Sequence, residues 1–206
     1  VVKNLIIINV LVWIAQLIYD KKDGLTFWLT SKIALFPADT PFFKPYQIAT
    51  HMFAHSSYEV SAAHPEGRIF LFHILFNMFG LFMFGRILEN VWGHKRFLFF
   101  YLACGVGAAL THLLIQYLTG GFSLTVGASG AIMGVFVAFA YLFPNTELMI
   151  IPIPVPIKAK WAILGMAAID LFGGVAKISG DNIAHFAHLG GALTGFLLVL
   201  YWNKTN

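Results

Sequence analysis

Six stretches of this chain are almost wholly apolar, and the segments between them collect its charge, proline and glycine. A helix crossing a hydrocarbon layer about 30 Å thick needs about 20 mainly apolar residues. On that criterion the pattern predicts six spans: Asn4–Tyr19, Ile69–Leu88, Phe97–Tyr117, Gly127–Phe143, Trp161–Val175 and Ile183–Trp202. The first is flanked by a single Lys3 and reaches Tyr19–Asp20 without a small-residue cleavage site, so it reads as a retained span. Spans 1 and 2 are joined by a long connection in which Phe27, Trp28, Phe36, Phe42, Phe43 and Tyr46 stand among prolines and charges. That mixture predicts an interfacial, half-submerged loop. The other connections are short, with Pro144, Pro152, Pro154 and Pro156 ending span 4 and stiffening its exit.

Composition sharpens the picture. Hydrophobic residues make up 59% of the 206, charged residues only 11%, and mean hydropathy is +0.78. Soluble domains run at roughly 45–50% apolar and about 25% charged, so a water-soluble enzyme and a disordered chain are both excluded. The net charge of +4 contains no basic run that could follow a phosphate backbone, which excludes nucleic acid as a partner. Cys104 is the one cysteine, so no intramolecular disulfide can form. Lys3, Lys95, Arg96, Lys158, Lys160 and Lys204 fall on one side of the predicted topology. Lys177 and a charge-mixed long loop holding Lys21, Lys22, Lys32, Lys44 and Arg68 fall on the other. The bias places both termini in the cytoplasm and the long loop outside.

Polar groups inside spans are expensive and therefore point to function. Ser129 lies in Gly127-Ala-Ser129-Gly130, where a Gly-rich connection enters a helix continuing through Gly134. The small residues allow close helix contact or leave room for a substrate carbonyl beside the hydroxyl, and a helix N-terminus offers unpaired N–H groups to an oxyanion. His188, Gly191 and Gly195 are spaced i, i+3, i+7 and share one helix face. Packing that face on Gly130 and Gly134 would bring a serine nucleophile to a histidine base. The alternatives are a packing serine and a histidine satisfied by a carbonyl. His73 and Asn77, spaced i, i+4, could complete an oxyanion hole with the Ser129 N–H or form an interhelical hydrogen-bond pair.

His112 and Gln116 have the same spacing, but no nucleophile motif accompanies them, and they read as structural. Asp170 is the acid deep in a span. It could orient a histidine, but pairing that holds span 5 is the favoured reading. His51, His55 and His64 lie in the long loop. No His-Glu-x-x-His occurs, so no metal is expected.

The combination of His73-Ile-Leu-Phe-Asn77, Gly127-Ala-Ser129-Gly130 and His188-Leu-Gly-Gly191-Ala-Leu-Thr-Gly195, in that order on spans 2, 4 and 6, resembles the rhomboid intramembrane serine proteases of the basic six-span bacterial type. The resemblance covers nearly the whole chain. It implies an all-α membrane protein, one domain over residues 1–206: a six-transmembrane-helix bundle with a long interfacial loop between helices 1 and 2. It implies a Ser129–His188 dyad without a third acid, and an oxyanion hole of His73, Asn77 and the Ser129 N–H. Gly127, Gly130, Gly134, Gly191 and Gly195 are its close-packing glycines, and no cofactor is needed.

Glu89-Asn-Val-Trp-Gly93 resembles the family's glutamate–glycine motif after span 2, and His185 resembles a supporting histidine. Two departures stand out: Tyr46–Gln47 replaces the family's Trp-Arg, and roughly Tyr58–Arg68 is inserted before His73. The implied activity is endopeptidase cleavage of single-pass transmembrane proteins in a bacterial inner membrane, with lipids as further partners. Water would reach Ser129 through a polar cavity capped near Gly180–Asn182, and Gly173 and Gly174 would let span 5 move. A non-catalytic helix-binding protein and a small proton-relaying transporter are the competing classes.

Overall fold

Long apolar runs satisfy their backbone polar groups internally when they coil, and the described apolar runs of this chain do so. The computed structural model describes residues 1–21, 26–62, 64–149, 155–176 and 184–205. The expected cap at Gly180–Asn182, together with Lys22, Pro152, Pro154 and Lys177, lies outside them. Among the described residues, five helices are long and apolar enough to cross a membrane. They are α1 (Val2–Tyr19), the continuous helix of α4 (Leu71–Gly80) and α5 (Arg86–Trp92), α6 (His94–Thr119), α8 (Ala159–Ala176) and α9 (His185–Thr205). A π-helical turn, Leu81–Gly85, joins α4 to α5. The chain is an integral membrane protein whose described residues form a mainly helical bundle.

The sixth run behaves differently. Helix α7 spans only Ser129–Leu142, which at 1.5 Å per residue is about 21 Å against a layer of about 30 Å. The predicted start at Gly127 fails because Gly127 adopts φ +127°, a left-handed backbone that ends helical continuity. Helix α7 therefore begins at Ser129 and is too short to cross the layer by itself.

The described part of the long connection is built around buried polar residues. It forms α2 (Thr30–Ile33), α3 (Gln47–Thr50) and a 3-10 turn at His51–Phe53. The buried Asp20 carboxylate accepts hydrogen bonds from the N–H groups of Leu29 (2.8 Å) and Thr30 (3.0 Å) and the hydroxyls of Thr30 and Ser57. Gln47, where the resemblance placed an arginine, is 1% exposed. Its Oε1 accepts from Lys44 N–H (3.1 Å), and its Nε2 donates to the Phe42 carbonyl (3.2 Å). Backbone pairing of Leu35 with Thr125 ties this loop to the connection leading into Ser129.

Two short ribbons interrupt the expected all-helical pattern. The insertion predicted over Tyr58–Arg68 is an antiparallel hairpin, β1 (Tyr58–Ser61) on β2 (His64–Ile69), with an irregular register between Glu59 and Ser61. Strands β3 (Glu147–Leu148) and β4 (Ile157–Lys158) bring together the two ends of the proline-rich exit from α7. The core gathers Leu81, Leu88, Phe97, Phe100, Tyr101 and Val135, all fully buried. Phe72, Phe76 and Phe79 on α4 and Ile169, Phe172 and Val175 on α8 point outward, as side chains bathed in lipid must.

Candidate active site

Helix α9 lies between α6 and α7 on faces that lack side chains. On the α7 side, an added Cβ at Gly195 would stand 2.7 Å from Gly134 Cα, and one at Gly134 would stand 3.0 Å from the Gly191 carbonyl oxygen. On the α6 side, Gly190 faces Thr111 and the Gly107 carbonyl. The two backbones come within contact distance because nothing stands between them.

This approach sets the first turns of α7 and α9 side by side. His188 Nε2 is 2.8 Å from Ser129 Oγ. Both residues are partly accessible, and the His188 side chain is 18% exposed. Ser129 opens its helix, so its N–H is among those a helix leaves without an internal partner.

Helix α4 delivers His73 and Asn77 to the same place. A Cβ on Gly127 would stand 2.8 Å from His73 Nε2 and 3.6 Å from Ser129 Oγ, so the imidazole edge and the hydroxyl converge where Gly127 leaves space. The Ser56 N–H donates to His73 Nδ1 at 3.1 Å. A nitrogen that accepts carries no proton, so in the neutral ring Nε2 is the N–H and aims a donor at the site. The Asn77 amide donates to the His73 carbonyl at 2.7 Å, which leaves its second N–H for another acceptor. Asn77 Oδ1 is buried without a partner among the described residues.

Asp170, read from the sequence as pairing with a polar group to hold span 5, finds its polar partners on α9, and one of them is His188. Asp170 Oδ1 accepts from Nδ1 of His188 at 3.0 Å and from Nδ1 of His185 at 2.8 Å. The cause is helical phase: His185 and His188 lie one turn apart and face α8 together. Gly173 and Gly174 are close-packing positions on α8. The His185 ring lies against Gly173 and the Phe186 ring against Gly174.

His112 and Gln116 support the approach to the serine. His112 Nε2 is 2.6 Å from Thr125 Oγ1, and the Gln116 amide donates to the Ser123 carbonyl at 2.7 Å. In the long loop, His51 Nδ1 is 3.0 Å from the Gln47 carbonyl, and the His51 carbonyl accepts from Gly127 N–H at 2.9 Å. His55 Nε2 is 2.9 Å from Asn9 Oδ1, and its ring meets His73 edge-on with centroids 5.1 Å apart. Burial, reinforced by His73, pushes His55 down to about 3, so it stays neutral. The Ser56 contact with His73 escaped the sequence because a backbone N–H carries no residue signal.

A Rhomboid domain family matches residues 43–204. This chain belongs to the rhomboid family. The match takes in all three site motifs and places the chain in an intramembrane protease family of the serine class. Among similar rhomboids is the mitochondrial presenilin-associated rhomboid-like protein of Homo sapiens, 34% identical over 135 residues, or 65% of this chain and 35% of that protein. Rhomboid protein 1, mitochondrial, of Saccharomyces cerevisiae is 33% identical over 136 residues, 64% of this chain and 38% of that one. Rhomboid-like protein 11, chloroplastic, of Arabidopsis thaliana is 30% identical over 169 residues, 77% and 53%. The matched region spans about a third of the length of the mitochondrial relatives and about half of the chloroplastic one.

Proposed function

We propose that the chain is a rhomboid endopeptidase that cuts single-pass transmembrane proteins within or near their span. The observation that carries the reading is the 2.8 Å contact between Ser129 Oγ and His188 Nε2 at two helix starts. His188 takes the hydroxyl proton as Ser129 attacks the peptide carbonyl, and the ring then gives that proton to the departing amine. A water, activated by the same ring, releases the acyl group. His73 Nε2–H, the Ser129 N–H and the second Asn77 N–H hold the oxyanion. Donors fixed in advance in a water-poor site are commonly the largest single contribution to such catalysis. The target backbone must unwind at the cut, because a helical peptide bond is shielded by its own hydrogen bonds.

The partners in this reading are single-pass membrane proteins and the surrounding lipid. The Lys and Arg bias supports both termini on the cytoplasmic side, in a bacterial inner membrane, although the relatives above carry mitochondrial and chloroplastic names. Incubation of the detergent-solubilised chain with a model single-pass substrate tests the proposal. Wild type should cleave and Ser129→Ala should not; a Ser129→Ala protein that still cuts would overturn it. A fluorophosphonate should label wild type at Ser129 and leave His188→Ala unlabelled.

A further inference from the structure

A neutral imidazole carries one ring proton, and a general base works only if that proton sits on the nitrogen away from its substrate. The Ser129 contact does not decide the matter, since a hydroxyl both donates and accepts. The decision falls to whatever meets His188 Nδ1, and in this chain it is a carboxylate. Asp170 Oδ1 lies 3.0 Å away on a residue only 7% exposed. An ionised carboxylate only accepts. The facing nitrogen must therefore be Nδ1–H, and Nε2 is left bare toward Ser129 Oγ.

We infer that Asp170 is the positioning residue of this site, an acid on α8 that holds His188 of α9 in the reactive tautomer and balances the charge its ring acquires. This rests on the reading of Ser129 and His188 as nucleophile and base. The Ser129 proton moves to Nε2 as the Oγ–carbonyl bond forms, and the imidazolium then carries one positive charge beside one negative carboxylate. The proton next passes to the amine as the C–N bond breaks, and the ring returns to its Nδ1–H form. Asp170 keeps its charge throughout and never takes the proton.

The geometry around the acid favours a fixed orientation. His185, one turn earlier on α9, donates to the same Oδ1 at 2.8 Å, so two rings on one helix face hold the carboxylate. Gly173 lets α8 approach closely there, since a Cβ on it would stand 3.0 Å from His185 Cδ2. The same contacts suit a plain structural tie between α8 and α9. A test must separate the two roles.

The test uses the full chain in detergent with a model single-pass substrate, and kcat is expressed per folded molecule. Asp170→Asn should lower kcat by about 10²–10⁴-fold, the range a general base commands, with KM little changed. Asp170→Glu, which keeps an acceptor on α8, should recover much of that loss. The pH profile of kcat should change in Asp170→Asn. Among the described residues, the other titratable groups in electrostatic reach of His188 are His185 of α9, which shares the Asp170 carboxylate and loses it in the variant, and His73 of α4 and His112 of α6, whose own partners the substitution leaves in place.

A structural tie alone predicts a lower Tm with kcat and its profile unchanged, and that result would overturn the inference. ¹⁵N-histidine NMR of the wild-type chain covers the case in which Asp170→Asn does not fold. His188, assigned through its loss in His188→Ala, should show Nδ1 protonated and Nε2 bare; the opposite tautomer would overturn the inference. Cleavage surviving in Ser129→Ala would instead strike the underlying dyad. An inactive Ser129→Ala beside a fully active Asp170→Asn would strike the Asp170 role alone.

Discussion

A Cβ built on Gly191 would stand 2.6 Å from the Gly130 carbonyl carbon, closer than any real pair of such atoms. The two residues are therefore a single contact through which α7 and α9 register, one turn or less from Ser129 and His188.

Gly191→Ala should force the two helices apart. Overpacking of a tight contact costs about 1–3 kcal/mol, and here the obstacle is backbone, which cannot rotate away. Tm should fall, and cleavage should fall by more than the loss of folded protein explains, because the hydroxyl–imidazole distance grows. Gly165→Ala in the middle of α8 is the matched control, since nothing lies within 4 Å of its added Cβ. Equal effects from both substitutions would show that the glycine contact is not what registers the pair.

Gly127 carries two constraints at once: φ +127° and a site for Cβ 2.8 Å from His73 Nε2. Gly127→Ala should strain the turn before Ser129 and push the imidazole off its target. His73→Ala removes the donor outright and should cost about 10²–10³-fold in kcat, the loss typical of one oxyanion donor, with KM nearly constant. Steady-state kinetics on one substrate distinguishes the outcomes. A large KM rise with kcat intact would make His73 a substrate-binding residue instead.

Acid stability should be limited in part by His55. Its ordinary value is near 6.5, and burial, with His73 beside it, holds it at about 3 in the folded chain. Between those values the unfolded chain binds a proton that the folded chain refuses, so stability is full above about 6.5 and declines as pH falls toward about 3. His51, depressed by burial, acts in the same direction. Replacing His55 by Gln should flatten the decline of Tm between pH 6.5 and pH 4. An unchanged slope would assign the acid sensitivity to other groups.

The spans were legible because lipid imposes a length on apolar runs, and five of the six predicted stretches extend as helices of spanning length. The short sixth was not, because Gly127–Phe143 reads as one apolar run and only the backbone at Gly127 ends it. Spacing alone put Gly191 and Gly195 on the face of His188, and it could equally have served any partner helix. The partners of Asp170 were illegible for a different reason. Which neighbour an acid meets depends on the rotation of α8 about its axis, and a nearly uniform apolar helix gives no stripe from which to read that angle. Gln47 was seen only as a missing arginine, whereas its amide knits the loop by bonding backbone, which needs no particular partner residue.

In the proposed protease, the brevity of α7 would make the Ser129 hydroxyl a depth gauge. A nucleophile at the start of a helix of about 21 Å, in a layer of about 30 Å, would select its bond by where that bond floats, as much as by the letters around it. Each apolar residue added to the outer flank of a target would slide a different bond to the serine, about 1.5 Å at a time while the flank stays helical. Membrane thickness would thereby become part of the specificity.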